Sequence, residues 1–96
     1  MTIDLSDTFQ PHPALASEVV DHELVVLQLE DGVYYGLDAL GTHAWRQLSE
    51  GKPLEELVRE FARRFPGQSR EQLLADLQTL TEELVRCRLL IPRAQT

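Results

Sequence analysis

Ninety-six residues, 43% of them hydrophobic and 26% charged, make one small globular domain with a modest core and no room for a second. Sixteen acids against nine Lys and Arg leave a net charge of −7, which repels nucleic-acid phosphates and anionic membranes and favours basic or neutral partners. No run of about 18 apolar residues spans a bilayer, the acidic start MTIDLSDTFQPHP is not a signal peptide, and the lone Cys87 has no internal disulfide partner, so a reducing, cytoplasmic location is expected.

Residues 1–12 read as an irregular N-terminal arm, because Pro11 and Pro13 interrupt any strand there. The domain proper is expected over 13–91. The segment ALASEVVD is a weak strand, placed at 14–21. HELVVLQLE alternates Val25, Leu27 and Leu29 with Val26 and Gln28, which predicts a second strand over 24–29. Glu30-Asp31-Gly32 suits a hairpin connection, with Gly32 free to take positive φ. The third strand, 33–37, sets Val33, Tyr35 and Leu37 on one face and Tyr34 and Gly36 on the other.

After Asp38 the apolar period becomes helical. Asp38 is the expected N-cap of a helix over 39–49, with Leu40, Ala44, Trp45 and Leu48 on one face and Gly51 as its stop. Pro53 suits the first turn of a second helix, 54–65, which repeats Leu54, Leu57, Val58, Phe61 and Phe65 and ends at Pro66-Gly67. Ser69 to Gln72 reads as a capping box, with Ser69 bonding the Gln72 amide and Gln72 reaching back. The third helix, 70–88, carries Leu73, Leu77, Leu80 and Leu84 on one stripe, and 92–96 form a tail. Strands followed by helices indicate an α+β domain: a three-stranded antiparallel sheet, then three helices, in a winged helix-turn-helix-like order.

The sequence is poor in catalytic chemistry. His12, His22 and His43 are scattered, and no zinc-type spacing of Cys and His occurs, so neither a metal nor a cofactor is expected. His43 reads as a partly exposed helix residue. Cys87 reads as a small buried hydrophobe, with no motif for a base to activate it. A DNA-reading helix needs positive charge, whereas the third helix carries Glu71, Asp76, Glu82 and Glu83.

Peptide binding fits better. A strand at a sheet edge offers unpaired N–H and C=O groups to an extended chain, and a leucine-rich helix beside it would supply an apolar wall. Val33 to Gly36 form the strand wall in this reading, and Leu73, Leu77 and Leu80 the helix wall. The plain alternative is that these leucines fill the core, and Leu77 and Leu84 suit core better than groove. Asp76, an acid within an apolar run, either hydrogen-bonds a bound peptide or pairs with a basic residue of it, or is simply solvated.

The stretch LQLEDGVYYGLDALGTHAWRQLSEGKPLEELVREFARRF, followed by LLADLQTLTEELVRCRLL, resembles the PqqD-like recognition elements of ribosomally made, modified peptides. The likeness covers residues 20 to 91 and is greatest to the discrete leader-binding protein of lasso-peptide biosynthesis. It implies a winged helix-turn-helix-like fold without DNA binding, and capture of a precursor's leader peptide as an added strand between strand 3 and helix 3. It further implies presentation of the precursor to a separate cysteine-protease-like leader peptidase, with a cyclase as another partner. The positions matching the leader groove are Val33, Tyr34, Tyr35 and Gly36 on the strand, and Leu73, Asp76, Leu77 and Leu80 on the helix. Two other readings stay open: a chaperone of a PQQ-type redox-cofactor precursor, and an acidic winged-helix transcription regulator.

Overall fold

A computed structural model describes residues 3–93. Five strands and three helices follow one another as β1 (Phe9–Pro11), β2 (Leu15–Val20), β3 (Glu23–Gln28), β4 (Val33–Leu37), α1 (Ala39–Ser49), α2 (Leu54–Arg64), α3 (Arg70–Arg86) and β5 (Leu90–Pro92). The α+β class and the helix count agree with the sequence reading. The strands divide into two sheets, β2-β3-β4 and β1-β5, both antiparallel.

The arm departs most from expectation. Instead of an irregular segment, Phe9–Pro11 pairs with Leu90–Pro92, so part of the expected tail is strand too. Ile3 and Phe9 are buried, and the Gln78 amide donates to the Ile3 carbonyl at 2.9 Å. The strand partners lie some eighty positions apart, so local pattern carries no sign of the pairing; Pro11 is tolerated because the ribbon is short and has free edges. Residues 94–96 of the expected tail lie outside the described residues.

Local signals account for the remaining boundaries. Gly32 takes φ 71° in the β3–β4 turn, and Gly51 takes φ 92° after α1. The Asp38 carboxylate accepts from the Gly41 amide at 2.7 Å and so caps α1. Pro53 sits at the N-cap of α2, one position ahead of the expected first turn. Ser69 caps α3 by accepting from the Gln72 amide at 3.1 Å, but the Gln72 side chain points forward and donates to Asp76 at 2.9 Å. The reciprocal half of the capping box is therefore absent. Helix α3 stops at Arg86, earlier than expected, because Cys87 is its C-cap and Arg88 adopts φ 64°.

The core joins Val26 and Leu24 of the sheet, Ala44 and Leu48 of α1, Leu57, Val58 and Phe61 of α2, and Leu73, Leu77 and Leu84 of α3. On β3 the inward face is Leu24, Val26 and Gln28, while Val25 and Leu27 face outward and are half-buried. Gln28 is fully buried because both ends of its amide are paired: Nε2 donates to the Arg88 carbonyl at 2.9 Å and Oε1 accepts from the Glu30 amide at 2.8 Å. Arg88 in turn pairs with Glu30 and, at 2.9 Å, with Asp31. The Trp45 indole donates to the Leu89 carbonyl at 3.0 Å. These bonds tie the β3–β4 turn and α1 to the end of α3, and so set the distance between β4 and that helix.

Candidate functional site

Strand order β2-β3-β4 leaves β4 hydrogen-bonded on one side only, so its other edge is unpaired among the described residues. Helix α3 runs beside that edge. Between them lies a cleft of about 170 Å³, lined on the strand by Tyr35, Gly36 and Leu37 and on the helix by Leu80, Glu83, Leu84 and Cys87, with Leu89 at the end. Leu80 also belongs to a second cleft, of about 200 Å³, whose other walls are Leu40 of α1, Phe61 and Phe65 of α2 and its end, Gln68, and Leu73, Asp76 and Leu77 of α3. Leu80 borders both, so the two clefts are neighbours along α3, and together they are called the groove here. Its walls are mainly apolar with a few polar groups, the usual make-up of a binding groove.

The expected site residues divide between groove and elsewhere. Tyr35, Gly36 and Leu80 meet in the strand–helix cleft, and Leu73, Asp76, Leu77 and Leu80 in the second. Leu73 and Leu77 are buried, so they serve core and groove floor at once. Val33 shares the parity of Tyr35 but lies at the start of the strand, 43% exposed, and lines neither cleft. Tyr34 is 68% exposed and pairs with Leu27 on the sheet's outer face, where it borders a hollow of about 310 Å³ with Ala16, Glu18, Val20 and Val25. It therefore stands away from the helix.

Several lining residues were not anticipated. Glu83 and Cys87 lie three and seven positions after Leu80, on the same helical face, so spacing alone could have found them. Leu37 follows Tyr35 at the strand period. Leu40, Phe61 and Phe65 come from other elements, and only packing brings them to α3.

Cys87 is half-buried and forms part of the cleft wall, not a fully buried core position. The half-buried Tyr35 phenol is pushed above its ordinary pKa by burial, with smaller contributions from the neighbouring Cys87 thiol and Asp31 carboxylate. It therefore stays neutral, a hydroxyl able both to donate and to accept.

A larger hollow of about 450 Å³ lies between α1 and α2, but Lys52, Glu56, Arg59, Glu60 and Arg63 line it. Such charged walls hold water better than apolar side chains. Nearby, His43 Nε2 lies 2.6 Å from a Glu60 carboxylate oxygen, and its ring stacks on Phe61. His43 is thus a half-buried packing residue. Among the described residues no group of three or more His, Cys, Asp and Glu is placed to hold a metal, and no helix is long and apolar enough to cross a membrane.

Comparison with known proteins gives a family and two similar structures. Residues 23–90 match the family model described as coenzyme PQQ synthesis protein D (PqqD). The structure of TbiB1 in complex with the TbiA(beta) leader peptide is similar over 90% of this chain and 99% of that one, at 34% identity and a TM-score of 0.76. A lasso peptide synthetase B1 complexed with the leader peptide shares the fold at 18% identity, with 88% and 98% of the two chains covered and a TM-score of 0.70. No curated protein sequence matches significantly.

Proposed function

The chain belongs to the PqqD family of peptide recognition elements, and from that premise we propose that it is a non-catalytic adaptor for the leader peptide of a lasso-type precursor. The leader adds to the free edge of β4 as one more strand. Its backbone pairs with β4, and its side chains on the α3 side enter the groove around Leu80. Backbone pairing supplies affinity without sequence preference; the alternate side chains supply the selection. The bound precursor is then presented in the cytoplasm to a separate cysteine-protease-like leader peptidase, with a cyclase as a further recipient. In this reading the sheet and three helices form a winged helix-turn-helix-like scaffold used for peptide and not DNA.

One observation carries the proposal: an unpaired strand edge lies beside an apolar helix wall, in a chain 34% identical to a protein solved with a leader peptide. Fluorescence anisotropy with synthetic lasso-type leader peptides tests it. Saturable binding is expected, lost in Leu80→Arg with helicity intact by circular dichroism. Unaltered affinity in that variant would sink the groove. The family's description favours one second reading, the chaperoning of a PQQ-type precursor. A preference for that type of precursor over the lasso leader in the same assay decides for it.

A further inference from the structure

The groove has a charge pattern that its apolar walls leave unexplained. Asp76 lines one cleft and Glu83 the other, with Leu80 between them, and no Lys or Arg lines either. Both acids are exposed. Asp76 is oriented by the Gln72 amide at 2.9 Å, a neutral partner that leaves the charge uncompensated. Glu83 makes no ion pair among the described residues. The cations beside the groove are already paired: Arg88 with Glu30 and Asp31, and Arg64, which packs over the Phe61 ring, with Glu60. The strand side adds nothing positive either: residues 1–45 contain eight Asp and Glu and neither Lys nor Arg. Anything lying in this groove therefore sits in a negative field on both sides, next to surfaces that exclude water and weaken screening.

Resting on the reading of the groove as the leader site, we infer that this protein selects leaders that carry Lys or Arg among their apolar anchors, with Asp76 and Glu83 as the residues that read them. Seven residues of helix separate the two carboxylates by about 10 Å along the axis. At about 3.3 Å per residue of extended chain, that corresponds to roughly three residues. Side chains of an added strand face the helix at every second position, so the flexible stems of Lys or Arg reach the two acids from groove-facing positions two or four apart. An acidic leader is rejected by the same field. Selectivity comes from repulsion as much as from attraction.

The test is selection of displayed random linear peptides on the immobilised full chain. Three variants are run in parallel: D76N/E83Q, E18Q/E23Q and Leu80→Arg. The second removes the same charge from the far side of the sheet and controls for net charge. Wild type and E18Q/E23Q are expected to enrich peptides with alternating apolar residues and Lys or Arg at the stated spacing. D76N/E83Q is expected to keep the apolar pattern and lose the basic enrichment. Synthetic winners then bind D76N/E83Q roughly three- to tenfold more weakly than wild type at low salt, with the difference shrinking as salt is added. Apolar enrichment without basic residues overturns the inference and leaves the groove standing, and so does basic enrichment that survives D76N/E83Q or disappears equally in E18Q/E23Q. Selection unchanged in Leu80→Arg overturns the groove itself and the inference with it.

Discussion

The two faces of β4 belong to one strand, yet only one of them looks onto a helix. Inward, Tyr35 and Leu37 look across a cleft at Leu80, Glu83, Leu84 and Cys87, so an entering side chain meets a wall on each side. Outward, Tyr34 stands with Leu27 and Val25 at a hollow of about 310 Å³ walled by the sheet alone, with no helix among the residues that line it. The apolar residue types are similar on both. What separates them is the second wall, and α3 supplies it on one side only. A buried side chain gains from contacts all round it, whereas one laid on a flat face stays half in water.

Substitutions break this contrast at different points. Removing the floor has the largest effect: Leu77→Ala deletes a buried side chain shared by core and groove, and should cost about 2–5 kcal/mol in a denaturant titration. A loss under 1 kcal/mol would mean that α3 is not anchored where it is drawn. Leu80→Arg keeps the core and blocks the junction of the two clefts, so leader affinity should fall at least about 30-fold, the loss a hot-spot residue carries. Next comes the brace: Gln28→Leu keeps the volume but strands the Arg88 carbonyl and Glu30 amide, for a loss of about 1–3 kcal/mol by thermal unfolding. Arg88→Ala removes only exposed ion pairs and should cost less than about 1 kcal/mol, while amide exchange in the β3–β4 turn speeds up. Smallest of all is Tyr34→Ala on the outer face, with stability changed by less than about 0.5 kcal/mol and leader affinity by less than about twofold. A large drop in affinity there would show that the leader wraps round the edge of β4, and that the two faces are not separate.

Legibility in the sequence follows how local each signal is. The Asp38 and Ser69 caps, the glycines at 32 and 51, and the helical spacing from Leu73 to Leu84 act within a few residues, and these elements appear close to where they were expected. Strand alternation was less decisive on β3, since both its faces are apolar. The polar Gln28 lies inside, because the end of α3 offers its amide a partner. Val33 lines neither cleft for a related reason. Parity places it with Tyr35, but nothing in parity says how far along β4 the helix reaches.

By itself, then, the sequence determined the order and type of most elements, the acidic field, the hairpin strand and the leucine stripe of the third helix. Each depends on side-chain period, capping or charge, which are properties of neighbouring residues. Tertiary structure alone decided that β1 and β5 pair, that Gln28, Trp45 and Arg88 brace the end of α3, and that Leu40, Phe61 and Phe65 join Leu80 in one groove. These features join residues tens of positions apart, and the geometry that unites them exists only once the core has closed.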